Sequence, residues 1–313
     1  MKQKIEEFLE FLAAERRLSP NTLAAYKNDL RQFEAYLSSR HAGPLGNGVH
    51  HLTGSGNGQV GQSELSRETV AGFFLNLRVD KGYSAATIAR KMAAVKSLFQ
   101  FLLRQGVISH NPTAELGSPE VKKPLPRAIS VGDVDLLIRQ ADKRTTPEGL
   151  RDRAMLHLLY ATGMRVTELV SLDVSDIDAA GQTVRCIGRG ARARQLPVDE
   201  RAWAALQDYL DRGRPALLRS GLPQPALFLN HRGQRLTRQG FWLIMKSVAR
   251  DSGVRAEVTP HTLRHSFATH RLSDGFTLPR LRELLGHANI STTQIYTQVK
   301  IGRTRTLTAA SRR

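Results

Sequence analysis

The residues best suited to chemistry lie between positions 259 and 299, where titratable and cationic side chains recur within three short helical patterns. These residues are His261, Arg264, His287 and Tyr296. Their side chains suit phosphoryl transfer, in which the protein positions the reactants and stabilises charge on the non-bridging phosphate oxygens. Tyrosine is a competent covalent nucleophile. The alternative is a helix-turn-helix DNA reader, in which the same residues pack or contact phosphates.

The first of these helices should begin at the Thr-Pro pair at 259–260, because threonine caps helices and proline fits their first position. His261 and Arg264 are three residues apart and therefore share one face of this helix. The spacing predicts that the imidazole and the guanidinium project from neighbouring points.

The next two helices should position the other two residues. A glycine at 286 ends the second helical pattern, so His287 follows that helix directly. Serine at 291 with glutamine at 294 forms a capping-box pattern for a third helix. This pattern predicts that Tyr296 lies in the second turn of that helix.

A metal site is another chemistry that histidines can serve. His261 and His265 stand four residues apart, as zinc-binding pairs do, but position 262 is threonine rather than the glutamate of a metalloprotease motif. The chain's single cysteine, Cys186, is far away, excludes an internal disulfide and fits a reducing cytoplasm. We predict no metal site and no cofactor.

Four stretches together resemble the tyrosine site-specific recombinases, especially the bacterial Xer type. They are LLYATGMRVTELVSL (158–172), IGRGARARQLPV (187–198), HTLRH (261–265) and LLGHANISTTQIYTQV (284–299). The resemblance covers the whole chain and implies an enzyme that cuts and rejoins DNA. The catalytic residues that it implies are Arg165, Arg189, His261, Arg264, His287 and Tyr296.

The resemblance also implies the role of each residue. Tyr296 attacks a scissile phosphate, forms a 3′-phosphotyrosyl link and releases a 5′-hydroxyl. The arginine pair, Arg165 and Arg264, stabilises the non-bridging oxygens, His261 acts as base toward the phenol, and His287 donates a hydrogen bond to the phosphate. The reaction needs neither ATP nor metal, consistent with the lack of a Walker-type glycine loop.

Two further residues around this set carry expectations of their own. Glu168, three residues after Arg165, should hold that guanidinium in one orientation. Arg189 stands where the family has a lysine, and a guanidinium keeps its proton up to about pH 12. We therefore predict that Arg189 stabilises the leaving 5′-oxygen by charge and hydrogen bonding. The group that protonates that oxygen stays open.

The periodicity of apolar residues predicts a mainly α-helical chain with two domains. We expect an N-terminal four-helix core-binding domain at 1–115, with a flexible Gly-rich loop at 41–62, and a linker at 116–129. A C-terminal catalytic domain at 130–313 should combine helices with a small antiparallel β-sheet. Short strands are expected at 172–177, 183–188, 195–198 and 226–230.

The net charge of +18 requires a polyanionic partner, and residues 121–313 carry about +15 of it. Basic side chains predict where duplex DNA binds, on two N-terminal helices, a hairpin and a segment before a C-terminal helix. These are Lys91, Lys96, Arg192, Arg194, Arg232, Arg235 and Arg238. Alternatively, Lys91 and Lys96 lie on a helix face that is simply solvated, and Arg192 and Arg194 belong to a turn that only increases solubility.

The resemblance further implies a double-stranded recombination site as substrate and a homo- or hetero-tetramer of recombinases on DNA. A role in chromosome or plasmid dimer resolution, and so in chromosome partition and cell division, is the main hypothesis. An integrase of a mobile element, a topoisomerase, and a non-catalytic DNA-binding protein are the alternatives. No segment is long and apolar enough to span a membrane, so we expect no membrane partner and a cytoplasmic, nucleoid-associated protein.

Overall fold

The computed structural model describes residues 1–15, 18, 20–41, 65–121, 128–188, 193–218, 224–287 and 293. The chain divides into two compact units, Met1–Pro124 and Leu125–Arg313. Both units are mainly helical, and the second contains a small antiparallel sheet, which confirms the predicted fold class. The division between the units falls within the predicted linker.

Among its described residues the first unit contains four helices, as the apolar periodicity predicted. They are α1 (Lys2–Ala14), α2 (Pro20–His41), α3 (Arg67–Val79) and α4 (Ala85–Arg104). Serine hydroxyls at positions 66 and 84 accept main-chain N–H groups and so begin α3 and α4. Aromatic rings fill the core between the helices, with Phe33 edge-on to Phe73 at 5.1 Å between ring centroids. This packing makes the bundle a unit with its own core.

The second unit contains eight helices among its described residues. They are α5 (Val131–Asp142), α6 (Pro147–Thr162), α7 (Val166–Ser171), α8 (Glu200–Asp208), α9 (Arg214–Leu217), α10 (Arg238–Ser252), α11 (Pro260–Ser273) and α12 (Leu278–Leu285). A π-helical turn at Tyr209–Gly213 joins α8 to α9. Helix α6 is buried on nearly all sides and contacts α5, α7, α8, α9 and α11. It is the central support on which the neighbouring helices are arranged.

The sheet contains β1 (Ile177–Asp178), β2 (Thr183–Ile187) and β3 (Ala193–Pro197), all antiparallel and in that order. The expected strand at 172–177 is wrong over most of its length. Asp176 accepts the main-chain N–H of Asp173 at 2.9 Å and closes a 3-10 turn at Val174–Asp176. This local hydrogen bond competes with the strand and leaves β1 only two residues long.

The expected strand at 226–230 is also wrong. This segment makes only isolated bridges, Asp173 with Ala226 and Leu229 with Arg235. The hydroxyl of the buried Tyr209 donates to the carbonyl of Leu227 and accepts the N–H of Leu229, each at 3.1 Å. A side chain therefore satisfies the main-chain groups that a neighbouring strand would otherwise pair.

Three sequence expectations fall largely outside the described residues: the Gly-rich loop at 41–62, the third helix with Tyr296, and the hairpin tip with Arg189 and Arg192. Of the third helix the structure describes only Thr293, which is helical and buried. Among the described residues, no helix has the length and apolar character needed to cross a bilayer.

Candidate active site

The turn that follows α6 places Arg165. Helix α6 ends at Gly163, whose φ of 61° is left-handed and suits glycine. A Cβ atom at this position would lie 2.2 Å from Cδ1 of Phe267 in α11, so glycine permits this close approach of the two helices. Arg165 then caps α7, and its main-chain N–H donates to Glu168 Oε2 at 2.7 Å. The chain reversal thus presents the Arg165 side chain beside the α6 end.

The guanidinium of Arg264, in α11, is held mainly through main-chain oxygens and is only 6% exposed. Its Nη1 donates to the carbonyl of Gly163 at 2.6 Å, and its Nη2 donates to the carbonyl of Leu285 at 2.7 Å. Both acceptors are neutral. These two contacts therefore fix the direction of the guanidinium without cancelling its charge, and they tie α11 to the ends of α6 and α12.

Three successive carbonyl groups at the C-terminal end of α12 accept hydrogen bonds from three arginines. The pairs are Arg194 Nε with Leu284 (2.9 Å), Arg264 Nη2 with Leu285 (2.7 Å) and Arg165 Nη2 with Gly286 (3.2 Å). The last carbonyls of a helix have no partner within the helix and carry the negative end of its dipole, so cations stabilise this end. The end of α12 thus gathers guanidinium groups from three distant parts of the chain.

Glu168 joins two of these arginines. Its Oε1 accepts Arg165 Nη1 at 3.0 Å, and both of its oxygens accept Arg194, at 3.1 and 2.9 Å. Burial alone would raise the pKa of Glu168, but hydrogen bonds from Arg194 and from the N–H of Arg165 lower it to about 2. The carboxylate is therefore ionised at neutral pH. The expected contact between Glu168 and Arg165 is present, and the second contact, with Arg194, was not anticipated.

His287 follows α12 and completes the cluster. Its Nε2 lies 3.0 Å from Arg264 Nη2, and its Nδ1 lies 2.9 Å from Thr293 Oγ1. Because a guanidinium can only donate, Nε2 accepts, which leaves the proton on Nδ1 to be donated to Thr293. Burial lowers the pKa of His287, and the charges of Arg264, Arg165 and Arg194 lower it further, to about 4. The imidazole is neutral at physiological pH.

His261 lies in the first turn of α11 and is exposed to solvent. Its imidazole lies one turn before Arg264 on the same helix and is open to solvent, which is the position that a general base toward a bound substrate requires.

The structure brings together four of the residues predicted from the sequence: Arg165, Glu168, Arg264 and His287. Arg189 and Tyr296 lie outside the described residues. Thr293 stands three residues before Tyr296, so its contact with His287 links the cluster to the segment that carries the tyrosine. No group of three or more histidine, cysteine or acidic side chains within the described part of the chain could hold a metal ion.

Comparison with known proteins assigns both units. Residues 128–303 match the phage integrase family, and residues 5–106 match the phage integrase N-terminal SAM-like domain. The tyrosine recombinase XerC of Herpetosiphon aurantiacus is 50% identical over 299 residues, which cover 96% of this chain and 91% of that protein. The chain belongs to the phage integrase family as an Xer-like tyrosine recombinase. It is an enzyme that cleaves and rejoins DNA strands.

Other relatives of the recombinase agree with this assignment. The tyrosine recombinase XerD of Listeria monocytogenes is 43% identical over 299 residues, covering 96% of this chain and 95% of that protein. A crystal structure of the XerH site-specific recombinase bound to a palindromic difH substrate, in a post-cleavage complex, has a TM-score of 0.72 and 22% identity. It covers all of this chain and 89% of that one. At this identity the match shows the fold.

The structure gives the two N-terminal basic residues of the recombinase other contacts than those predicted. Lys91 is a core residue, 2% exposed, and its ammonium donates to Asp29 at 2.9 Å and to Gln32 at 2.8 Å. The expectation that Lys91 lies on a phosphate-facing surface is therefore wrong. Lys96 is partly buried and donates to the carbonyl of Leu116.

Among the C-terminal basic residues of the recombinase, Arg232 and Arg238 are exposed, as a DNA contact requires. Arg235 is half-buried and donates to the carbonyls of Val170 and Leu172 and to Asp173. Arg194, predicted to contact DNA, instead has its donors directed at Glu168 and Leu284. Arg235 and Arg194 thus support neighbouring main-chain segments in this structure.

Proposed function

We propose that the recombinase cuts and rejoins DNA at a specific site through a 3′-phosphotyrosyl intermediate on Tyr296. The phenolic oxygen forms a bond to the scissile phosphorus while the bond from phosphorus to the 5′-oxygen breaks. His261 accepts the phenolic proton, and the departing 5′-oxygen takes up a proton and leaves as a hydroxyl group. The phosphotyrosyl bond conserves the energy of the broken phosphodiester, so the 5′-hydroxyl of a partner strand rejoins the DNA without ATP.

The observation that carries this proposal is the charge of the cluster at the end of α12. The cluster contains three arginines, Arg165, Arg194 and Arg264, and one ionised carboxylate, that of Glu168, which pairs with Arg165 and Arg194. His287 is neutral, so the cluster has two net positive charges. A phosphodiester carries one negative charge, and the attacking tyrosinate brings another to the phosphorus. Fixed positive charges in a partly buried site stabilise this transition state more than water does.

In this mechanism His287 changes partners when DNA binds. In the structure its Nε2 accepts a hydrogen bond from Arg264 Nη2. When a phosphate binds beside Arg264, the Arg264 guanidinium donates to the phosphate instead of to His287. The negative charge of the phosphate also raises the pKa of the His287 imidazole. Once Nε2 carries a proton, His287 donates to a non-bridging oxygen.

We assign a double-stranded recombination site as the substrate and a homo- or hetero-tetramer on DNA as the active assembly. Relatives named XerC and XerD, at 50% and 43% identity, support a role in resolving chromosome or plasmid dimers, and so in chromosome partition. The net charge of +18 supports binding to a polyanion. The proposed place of action is the nucleoid, in the cytoplasm.

A covalent-trapping experiment tests the proposal. Duplexes selected from a random-sequence pool by binding to the protein are rebuilt with a nick beside each candidate scissile phosphate, so that the fragment carrying the 5′-hydroxyl diffuses away. We expect an adduct that survives denaturing electrophoresis. Tyr296→Phe removes only the nucleophilic oxygen, so DNA binding should stay within a few-fold while the adduct disappears.

Tyr209→Phe is the matched control, because its phenol is buried and bonded to main-chain groups of Leu227 and Leu229. This variant should lose stability yet still form the adduct. An adduct with the Tyr296→Phe protein would place the nucleophile elsewhere. DNA binding without any adduct in the wild-type protein would contradict the proposed cleavage chemistry.

A further inference from the structure

Arg194 has a geometry that differs from that of a DNA contact. Its side chain is 13% exposed, and three of its nitrogens donate within the protein. Nη1 and Nη2 bond to the two oxygens of Glu168, the parallel two-pronged arrangement that a planar guanidinium makes with a carboxylate. At the same time, Nε bonds to the carbonyl of Leu284 in α12.

We propose that Arg194 is a positioning residue for DNA cleavage, which locks β3 to Glu168 and to the end of α12 and so orients Arg165. The inference rests on the proposed function, because it concerns the same site. Arg194 acts through Glu168: with one oxygen shared between two arginines, any rotation of the carboxylate moves the Arg165 guanidinium.

The same contact ties the β-hairpin to the catalytic arginines. Arg194 pairs with Cys186 across β2 and β3, and β3 begins at Ala193, close in sequence to Arg189. Helix α12, the other partner of Arg194, is followed directly by His287. One side chain therefore links three parts of the site: the strand after Arg189, the carboxylate that holds Arg165, and the helix before His287.

The close packing at Gly286 supports this role. A Cβ at position 286 would lie 2.9 Å from Arg194 Nη1 and 3.0 Å from its Cζ. The guanidinium thus lies directly against the main chain at the end of α12. A lysine keeps the charge but can neither bond both oxygens of Glu168 in parallel nor reach Leu284 at the same time.

The test compares single-turnover cleavage with DNA affinity on the nicked duplex described above. For Arg194→Gln, we expect the adduct to form about 100-fold more slowly at saturating DNA, because misplacing a catalytic group by about 1 Å costs this much. The dissociation constant should stay within about three-fold of wild type, and the salt dependence of binding should not change. Arg194→Lys should be nearly as slow as Arg194→Gln, since the two-pronged geometry is lost in both.

Two matched variants serve as controls. Arg185→Gln removes an arginine from the neighbouring strand that pairs with Asp176 rather than with Glu168, so cleavage should remain normal. Arg232→Gln removes an exposed arginine predicted to contact a phosphate, so affinity should fall and the salt slope should drop by about one. The double variant Glu168→Gln/Arg194→Gln should cleave no more slowly than the slower single variant, because Arg194 acts through the Glu168 carboxylate and has no separate effect once that carboxylate is replaced.

Other outcomes would overturn the inference. Full cleavage activity in Arg194→Lys would mean that charge, not geometry, is what matters at this position. A weaker affinity with a smaller salt slope in Arg194→Gln would show that Arg194 contacts a DNA phosphate. A fall in melting temperature with an unchanged cleavage rate constant would reduce its role to stability. Absence of an adduct in the wild-type protein would instead refute the proposed function itself.

Discussion

Replacing Gly163 with alanine should reduce both stability and catalysis. Two effects lower the free energy of unfolding: backbone strain at position 163 and a steric clash with Phe267. The residue has a φ of 61°, a conformation that costs an alanine about 1 kcal/mol relative to glycine. The added methyl group would also lie 2.2, 2.5 and 2.9 Å from three carbons of the Phe267 ring. Phe267 is buried and cannot move away without repacking, which typically costs about 1 to 3 kcal/mol.

Gly253 offers a matched control for the backbone part of this cost. It ends α10 with a φ of 74°, and a Cβ there would meet nothing within 4 Å. Gly253→Ala should therefore lower the free energy of unfolding by about 1 kcal/mol, and Gly163→Ala by about 2 to 4 kcal/mol. Chemical denaturation of the two variants, followed by circular dichroism, measures the difference directly.

Catalysis should separate the two glycine variants further. The carbonyl of Gly163 accepts Arg264 Nη1 at 2.6 Å, so a shift of this turn moves a catalytic guanidinium. We expect Gly163→Ala to form the phosphotyrosyl adduct about 10 to 100 times more slowly under conditions where it is fully folded. Gly253→Ala should cleave normally, because its turn contributes no contact to the cluster.

Relief of the clash gives the decisive comparison. Phe267→Leu removes ring atoms that the new methyl group would meet. The double variant Gly163→Ala/Phe267→Leu should therefore lose less free energy of unfolding than the sum of the losses in the two single variants. A coupling of about 1 kcal/mol or more is expected for groups in direct contact. Equal stability losses for Gly163→Ala and Gly253→Ala, or additive effects in the double variant, would refute the close approach of α6 and α11 as the reason for glycine.

Three further predictions follow from the charges of the site. Arg189→Ala should slow cleavage of an ordinary phosphodiester but hardly affect a substrate with sulfur at the bridging 5′ position, since a thiolate leaves without stabilisation by the protein. Equal slowing on both substrates would show that Arg189 only positions DNA. Glu168→Gln should lower the free energy of unfolding at pH 7 by about 3 kcal/mol, because folding lowers the pKa of Glu168 from 4.5 to about 2. This contribution to stability is fully present above pH 4.5 and is lost as the pH falls toward 2. Denaturation curves of the two proteins should therefore converge on acidification, and a constant difference would contradict the assignment. DNA binding at pH 5 to 6 should be accompanied by proton uptake at His287, because its pKa of about 4 rises beside a phosphate. Calorimetry in buffers of different ionisation enthalpy measures the number of protons taken up, and His287→Gln should abolish this proton uptake.

Helix positions and the identity of the site could be predicted from the sequence, because both depend on local signals. The threonine cap at 259 predicted where α11 begins, and the apolar periodicity predicted the four helices described in the first unit. The predicted association of Arg165 with Glu168 also depends only on a spacing of three residues. Residue types alone grouped Arg264 with His287, but their direct contact joins residues 23 positions apart, which no local spacing predicts.

The tasks of the basic side chains could not be predicted, because they depend on partners far away in the sequence. Lys91 lies on a helix with other cations, yet its partner Asp29 is 62 residues away and both are buried. Arg194 and Glu168 are 26 residues apart and meet only through the register of β2 and β3 against α7. A charge pattern in the sequence cannot separate an arginine that contacts DNA from one that contacts a carboxylate.

The cluster shows how a protein can orient arginines and still keep their charge for a substrate. A carboxylate partner for every guanidinium would fix each direction but cancel the field that a phosphate requires. Here Arg264 is directed by two main-chain carbonyls, and a single carboxylate serves both Arg165 and Arg194. The carbonyls of Leu284 and Gly286 at the end of α12 are the remaining acceptors. The helix dipole gives this end only a partial negative charge, so it attracts the guanidinium groups without neutralising them. Neutral acceptors therefore hold the geometry, and the net positive charge remains available to stabilise a phosphate under attack.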